Sequence, residues 1–146
     1  MTWATERLAA LQAGVAAPPP IVETLRLGLL DAWGAGWIRK TWRPEPDLET
    51  ADGMLFGGYL AALADQALAF AAMTVAPDDA GFRTLNLNVN FLRLTPAQPL
   101  IIEARVVAQT RQLITVRAEF RRGDGQLIAE ATAQQLLTPL PHAALG

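Results

Sequence analysis

The chain has 146 residues, 51% of them hydrophobic and 18% charged, with a formal net charge of −2. That length bounds it to one domain, and that composition excludes intrinsic disorder and any general pull toward phosphate backbones or anionic membranes, so neither nucleic acid nor membrane is an expected partner. There is no Cys and no Ser, which removes disulfides, thiolate chemistry, Cys-based zinc sites and serine-triad hydrolases together.

The single His, His142, lies in the terminal Pro-His-Ala-Ala-Leu-Gly run, where a fixed general base is not expected. Any chemistry then rests on carboxylates, Thr, Tyr or backbone groups, and no cofactor or metal is expected. Met1 to Arg7 lacks the basic start and apolar run of a secretory signal, so a cytoplasmic location is the default expectation.

Residues 2–13 read as a short amphipathic helix through Trp3, Leu8 and Leu11, ended by Gly14 and the breaker run Pro18-Pro19-Pro20. The single domain, 1–146, therefore opens with an N-terminal helix and Pro-rich linker (1–20) and closes with an expected flexible tail (139–146). Two strands are predicted next, Glu23–Trp33 and Trp37–Arg43, joined by a Gly34-Ala35-Gly36 turn. Pro44 to Gly53, with two prolines and four acids, reads as a loop. A helix of about 27 Å follows, from Gly57 or Gly58 to Val75. It is apolar almost all round, and Asp65 and Gln66 at its centre argue against membrane insertion, so it is expected to be buried in protein.

From Phe82 the period changes to two. Leu85, Leu87, Val89 and Phe91 share one predicted face and Asn86, Asn88 and Asn90 the other. The next strand sets Ile102, Ala104, Val106 and Ala108 against Glu103 and Arg105. A third, Leu113–Arg122, sets Ile114, Val116, Ala118 and Phe120 against Thr115, Arg117, Glu119 and Arg121. Asp124-Gly125 supplies a turn into a last strand, Gln126–Thr138, whose Ala129, Ala131 and Ala133 form a shallow face that a helix can approach closely. The expected architecture is α+β: one long central helix wrapped by a curved antiparallel β-sheet, with a short N-terminal helix. The uncovered side of such a layer predicts self-association.

Asp52-Gly53-Met54-Leu55-Phe56-Gly57-Gly58-Tyr59-Leu60 followed by Ala61 to Ala67 is the segment with chemical content. Two glycines at a helix start permit close approach of a ligand, and the unpaired N–H groups there suit a carbonyl oxygen that becomes an oxyanion. The same glycines could serve only a tight loop-to-helix junction. Asp65, among Leu63, Ala64 and Ala67, calls for a specific partner and is a candidate nucleophile or general base on water. Alternatively, Asp65 and Gln66 mark the helix's one solvent-facing stripe. Arg83 and Arg93 are candidates for phosphate contacts or simply solvated strand-end charges. Trp33, Trp37 and Trp42 could line a pocket, although cross-strand aromatic packing explains them as well.

The element order, together with Leu-Phe-Gly-Gly-Tyr-Leu-Ala-Ala-Leu-Ala-Asp and Thr84-Leu-Asn-Leu-Asn-Val-Asn-Phe-Leu-Arg93, closely resembles the PaaI-type hotdog-fold acyl-CoA thioesterases over roughly residues 20–138. The resemblance implies a Gly57 N–H donated to the thioester carbonyl, with Gly58 beside it. It implies an Asp65 acting across a dimer interface as a buried acid, and a Thr84 hydroxyl assisting it. It also implies an acyl-CoA substrate, with coenzyme A bound only as part of that substrate, and a homodimer or dimer of dimers. The family's His is Phe56 here, which cannot donate a hydrogen bond, and its earlier polar residue corresponds to Thr50, with Asp52 nearby. The expected function is hydrolysis of small, medium or aryl acyl-CoA thioesters. The alternative is a non-catalytic acyl-CoA or lipid-binding hotdog protein. A hotdog hydratase or dehydratase stands behind both, because such enzymes rely on a His paired with an acid.

Overall fold

The computed structural model describes residues 1–140, so His142 and the last residues of the expected tail lie outside the described residues. Helix α1 (Trp3–Gln12) begins where expected and buries Ala4, Leu8 and Leu11. Thr2 caps it, its hydroxyl accepting the Thr5 N–H while the Thr5 hydroxyl accepts the Thr2 N–H, a reciprocal pair that satisfies two otherwise orphaned donors. The Trp3 indole N–H donates to the Ala80 carbonyl at 3.0 Å, which ties the chain start to the far end of the fold.

The predicted strand Glu23–Trp33 is a correction. Pro20 opens a short helix α2 (Pro20–Thr24), and strand β1 is only Ala32–Gly34. Between them Arg26 and Gly28 have φ of +53° and +70°, which no extended strand accommodates. Strand β2 (Trp37–Trp42) follows a turn at Ala35-Gly36, where Gly36 takes φ +83°.

Helix α3 (Gly57–Met73) is the predicted long helix, two residues shorter than expected at its end. Its Ala64, Ala67 and Ala71 are fully buried, as are Ala104, Ala118 and Ala129 on the strands it covers, and such small side chains let helix and sheet backbones approach closely. Strands β3 (Ala80–Phe91), β4 (Leu100–Gln109), β5 (Leu113–Arg122) and β6 (Leu127–Pro139) complete one antiparallel six-stranded sheet of order β1-β2-β4-β5-β6-β3. Strand continues through Pro139, which pairs with Ala80, so the expected tail does not begin there.

Bulges modify the predicted alternation at two places. The β3–β6 register shifts between Thr84 and Asn86, which leaves Leu85 55% exposed instead of sharing the face of Leu87 and Val89. The β4–β5 register shifts between Val106 and Ala108, and Ala108 becomes exposed, off the buried face of Ile102 and Ala104. A bulge inserts one residue and so reverses the facing of everything beyond it. The β5–β6 register shifts between Phe120 and Arg121, past the apolar run of β5, and Ile114, Val116, Ala118 and Phe120 are all fully buried as expected. Among the described residues no helix is long and apolar enough to cross a membrane.

Candidate active site

Six residues of α3 spaced at helical intervals, Ala62, Asp65, Gln66, Ala69, Phe70 and Met73, form one wall of a cleft of about 370 Å³. Facing them are Arg7 and Leu11 of α1, then Pro19, Ile21, Val22, Leu25 and Leu27, and Thr84 of β3. Most of this lining is apolar, and Asp65 is its only carboxylate.

Within the single chain Asp65 is exposed, as in the alternative of a solvent-facing position, because β3 beside it is a sheet edge. It does have a specific partner: the Thr84 hydroxyl donates to Asp65 Oδ1 at 3.2 Å. Thr84 also lies 3.0 Å from the side-chain amide oxygen of Gln135, a fully buried residue paired with it across β3 and β6. Gln135 is absent from the sequence-derived site. The signal was a polar residue at the next inward position after Ala129, Ala131 and Ala133.

Gln66 is not on a free solvent stripe. Its Oε1 accepts from Lys40 Nζ at 2.6 Å and its Nε2 donates to the Gly28 carbonyl at 2.7 Å.

Gly57 and Gly58 are the first two residues of α3, and among the described residues no acceptor takes either N–H, as expected of a helix start. Both glycines also have a packing reason. A Cβ on Gly57 would meet the Phe91 ring at 3.1 Å, and one on Gly58 would meet the Phe56 ring at 2.9 Å. Phe56 is the N-cap of α3, provides no side-chain cap and is 58% exposed. Thr50 and Asp52 turn toward each other, and that hydrogen bond holds the Asp52 carboxyl below its usual range.

Within one chain these groups lie in two separate places. Gly57 and Asp65 are eight residues apart on α3, about 12 Å along the axis. Arg83 and Arg93 are both exposed and lie toward opposite ends of β3, Arg83 next to Thr84 and Arg93 just beyond Phe91. None of the three tryptophans lines the cleft. Trp42 stacks on Tyr59 with ring centroids 5.2 Å apart, and Trp37 lies over Gly34. Among the described residues no group of three His, Asp or Glu side chains could hold a metal ion.

The profile of the Thioesterase superfamily matches residues 52–129, the stretch from Asp52 through α3 to Ala129. Among solved structures, a phenylacetic acid degradation-related protein of Ralstonia eutropha JMP134 is 30% identical with a TM-score of 0.79, over 88% of this chain and 98% of that one. A thioesterase of Haemophilus influenzae is 20% identical with a TM-score of 0.78, over 92% of this chain and 93% of that one. A Streptococcus mutans UA159 protein solved with acetyl CoA is 22% identical with a TM-score of 0.69, over 75% and 87%. No curated protein matches the chain. The profile covers more than half of the sequence, and the sheet wrapped on a central helix is the hotdog architecture, so the chain belongs to the Thioesterase superfamily, a family of thioester hydrolases.

Proposed function

We propose that the protein hydrolyses acyl-CoA thioesters with small, medium-length or aryl acyl groups, in a site completed by a second copy of the chain. The observation that carries this reading is the Asp65–Thr84 pair beside an apolar cleft: one carboxylate, a hydroxyl bonded to it, and a slot for an acyl group. A volume of about 370 Å³ is in the range of small-ligand pockets. The acetyl CoA of the Streptococcus mutans protein supports a CoA thioester, and the name of the Ralstonia protein supports an aryl acyl group.

What supports the second copy is β3. Its twelve residues form a sheet edge, with Leu85 and Phe91 about half exposed, and such an edge is a template for pairing. Antiparallel pairing of β3 with its copy about an axis between Leu87 and Asn88 sets Thr84 opposite Phe91 of the other strand. Because Gly57 packs on Phe91, its free N–H then approaches Asp65 of the neighbouring copy. The same pairing brings Arg83 toward Arg93 of the other copy, two guanidinium groups suited to the phosphates of coenzyme A.

In this arrangement the thioester carbonyl oxygen accepts from Gly57, whose amide gains most as the oxygen becomes an oxyanion. Asp65 either attacks the acyl carbon, with water cleaving the resulting anhydride, or takes a proton from water as that water attacks. Collapse of the tetrahedral intermediate breaks the C–S bond, and the thiolate leaves and is protonated to free coenzyme A. The test is thiol release across a panel of acyl-CoA esters. Asp65→Asn is expected to lower kcat by about 10²-fold or more while the protein stays folded. No release from any ester by folded protein would sink the reading.

Phe56 favours a second reading, a non-catalytic acyl-CoA or lipid-binding protein, because it provides no polar group at the helix start. Calorimetry separates the two: tight binding without hydrolysis, indifferent to Asp65→Asn, selects the binder. If turnover occurs, Phe56→His is expected to raise kcat by about ten-fold through one added donor near the carbonyl.

A further inference from the structure

We propose that Gln135 is a positioning residue: its side-chain amide holds the Thr84 hydroxyl so that the single hydroxyl proton points at Asp65. The inference rests on the roles given above to Asp65 and Thr84, and adds a group behind them that touches no substrate.

Gln135 stands on β6 directly opposite Thr84 and is 0% exposed. Ala129, Ala131 and Ala133 before it occupy the buried face of the same strand, so an apolar residue would continue the pattern. A primary amide at such a position is unfavourable unless it is hydrogen-bonded. The bulge immediately after Thr84 is the kind of irregularity that re-aims a side chain on an edge strand.

The distances define the polarity of the chain. Thr84 Oγ1 is 3.2 Å from Asp65 Oδ1 and 3.0 Å from Gln135 Oε1, while Gln135 Nε2 is buried without a partner among the described residues. A hydroxyl has one proton, so it cannot donate to a carboxylate and an amide oxygen together. Turning the amide end for end exchanges two nearly isosteric atoms and removes the conflict. The Gln135 N–H then donates to Thr84 Oγ1, and the Thr84 O–H donates to Asp65 Oδ1. This leaves an amide oxygen without a partner in place of an orphaned nitrogen, the less costly of the two. With its lone pair engaged, the hydroxyl is no longer free to rotate, and one carboxylate oxygen of Asp65 is held while the other stays available for the reaction.

The experiment compares Gln135→Met, Thr84→Val and the double variant with the wild type. Each single change is expected to lower kcat about ten-fold with KM within about two-fold, and the double variant to be no slower than Thr84→Val. Gln135→Met should melt no lower than the wild type, because it removes an imperfectly paired buried amide. Independently of turnover, the ¹⁵N-resolved side-chain amide of Gln135 should shift in Thr84→Val. Three results would overturn the proposal: an unchanged kcat in Gln135→Met, an equal loss from Gln135→Met with and without the Thr84 hydroxyl, or an amide signal indifferent to Thr84→Val. A wild type without turnover defeats the reading of Asp65 instead, and the amide signal then decides the hydrogen-bond chain by itself.

Discussion

Lys40 is the only lysine of the chain, and it is 1% exposed. Its ammonium donates to the Leu27 carbonyl and to Gln66 Oε1, both at 2.6 Å, and has no carboxylate in contact among the described residues. Burial lowers its pKa from 10.5 to about 8, with Asp31 opposing the shift from a distance. The folded protein therefore releases this proton near pH 8 and the unfolded chain near 10.5, so between the two the unfolded chain binds more protons and stability rises with pH. Urea unfolding is expected to show a gain of about 2–3 kcal/mol from pH 8 to pH 10, absent in Lys40→Met. Above pH 10 the sign reverses for Tyr59, whose phenol is pushed up by burial, so the folded state holds that proton longer. A flat stability profile in the wild type would mean that the folded protein holds this proton to about pH 10, as the unfolded chain does.

At the scale of elements, the irregular stretch from Leu25 to Gly28 is held by side chains in place of a strand partner. The N–H groups of Leu25, Arg26 and Leu27 bond back to the carbonyls of Ile21, Glu23 and Val22. Four successive carbonyls are taken by β2 and α3: Tyr59 reaches Leu25 and Arg26, the Trp42 indole reaches Arg26, Lys40 reaches Leu27 and Gln66 reaches Gly28. β2 contributes alternate residues and α3 residues two turns apart, so the segment is fixed without regular structure. Leu25 and Leu27 also line the cleft, which gives that fixing a bearing on the acyl site. Tyr59→Phe keeps the stack on Trp42 and removes the hydroxyl. It is expected to cost about 1 kcal/mol and to speed amide exchange in residues 25–28 ahead of β4 and β5. Uniformly faster exchange would point instead to a general loss of stability.

For the whole molecule, the proposed pairing along β3 makes assembly and activity one property. A homodimer is expected in sedimentation equilibrium. Leu85 is bulged outward and 55% exposed, so Leu85→Glu should leave the monomer folded. It introduces one carboxylate per copy into the paired edge, opposite Asn90 of the other strand, and the dimer dissociation constant should rise by about ten-fold or more. Thiol release per protomer should fall in parallel on dilution. Activity that persists in a demonstrated monomer would remove the second copy from the site.

The amino-acid order by itself was enough for α3 and for β5, and the resemblance it carries singled out Asp65 and Thr84, which the fold brings into contact. An apolar helical run and an uninterrupted period of two leave a chain few ways to bury them, and a lone acid in an alanine-rich helix is conspicuous. It was not enough for Glu23–Trp33, for the facing of Leu85 and Ala108, or for Gln135. The first depends on carbonyls satisfied from residues 40, 42, 59 and 66, and the second on bulges whose register is set by the neighbouring strand. Gln135 becomes meaningful only once β6 lies against β3, because pairing between residues far apart in sequence exists only after the sheet has closed.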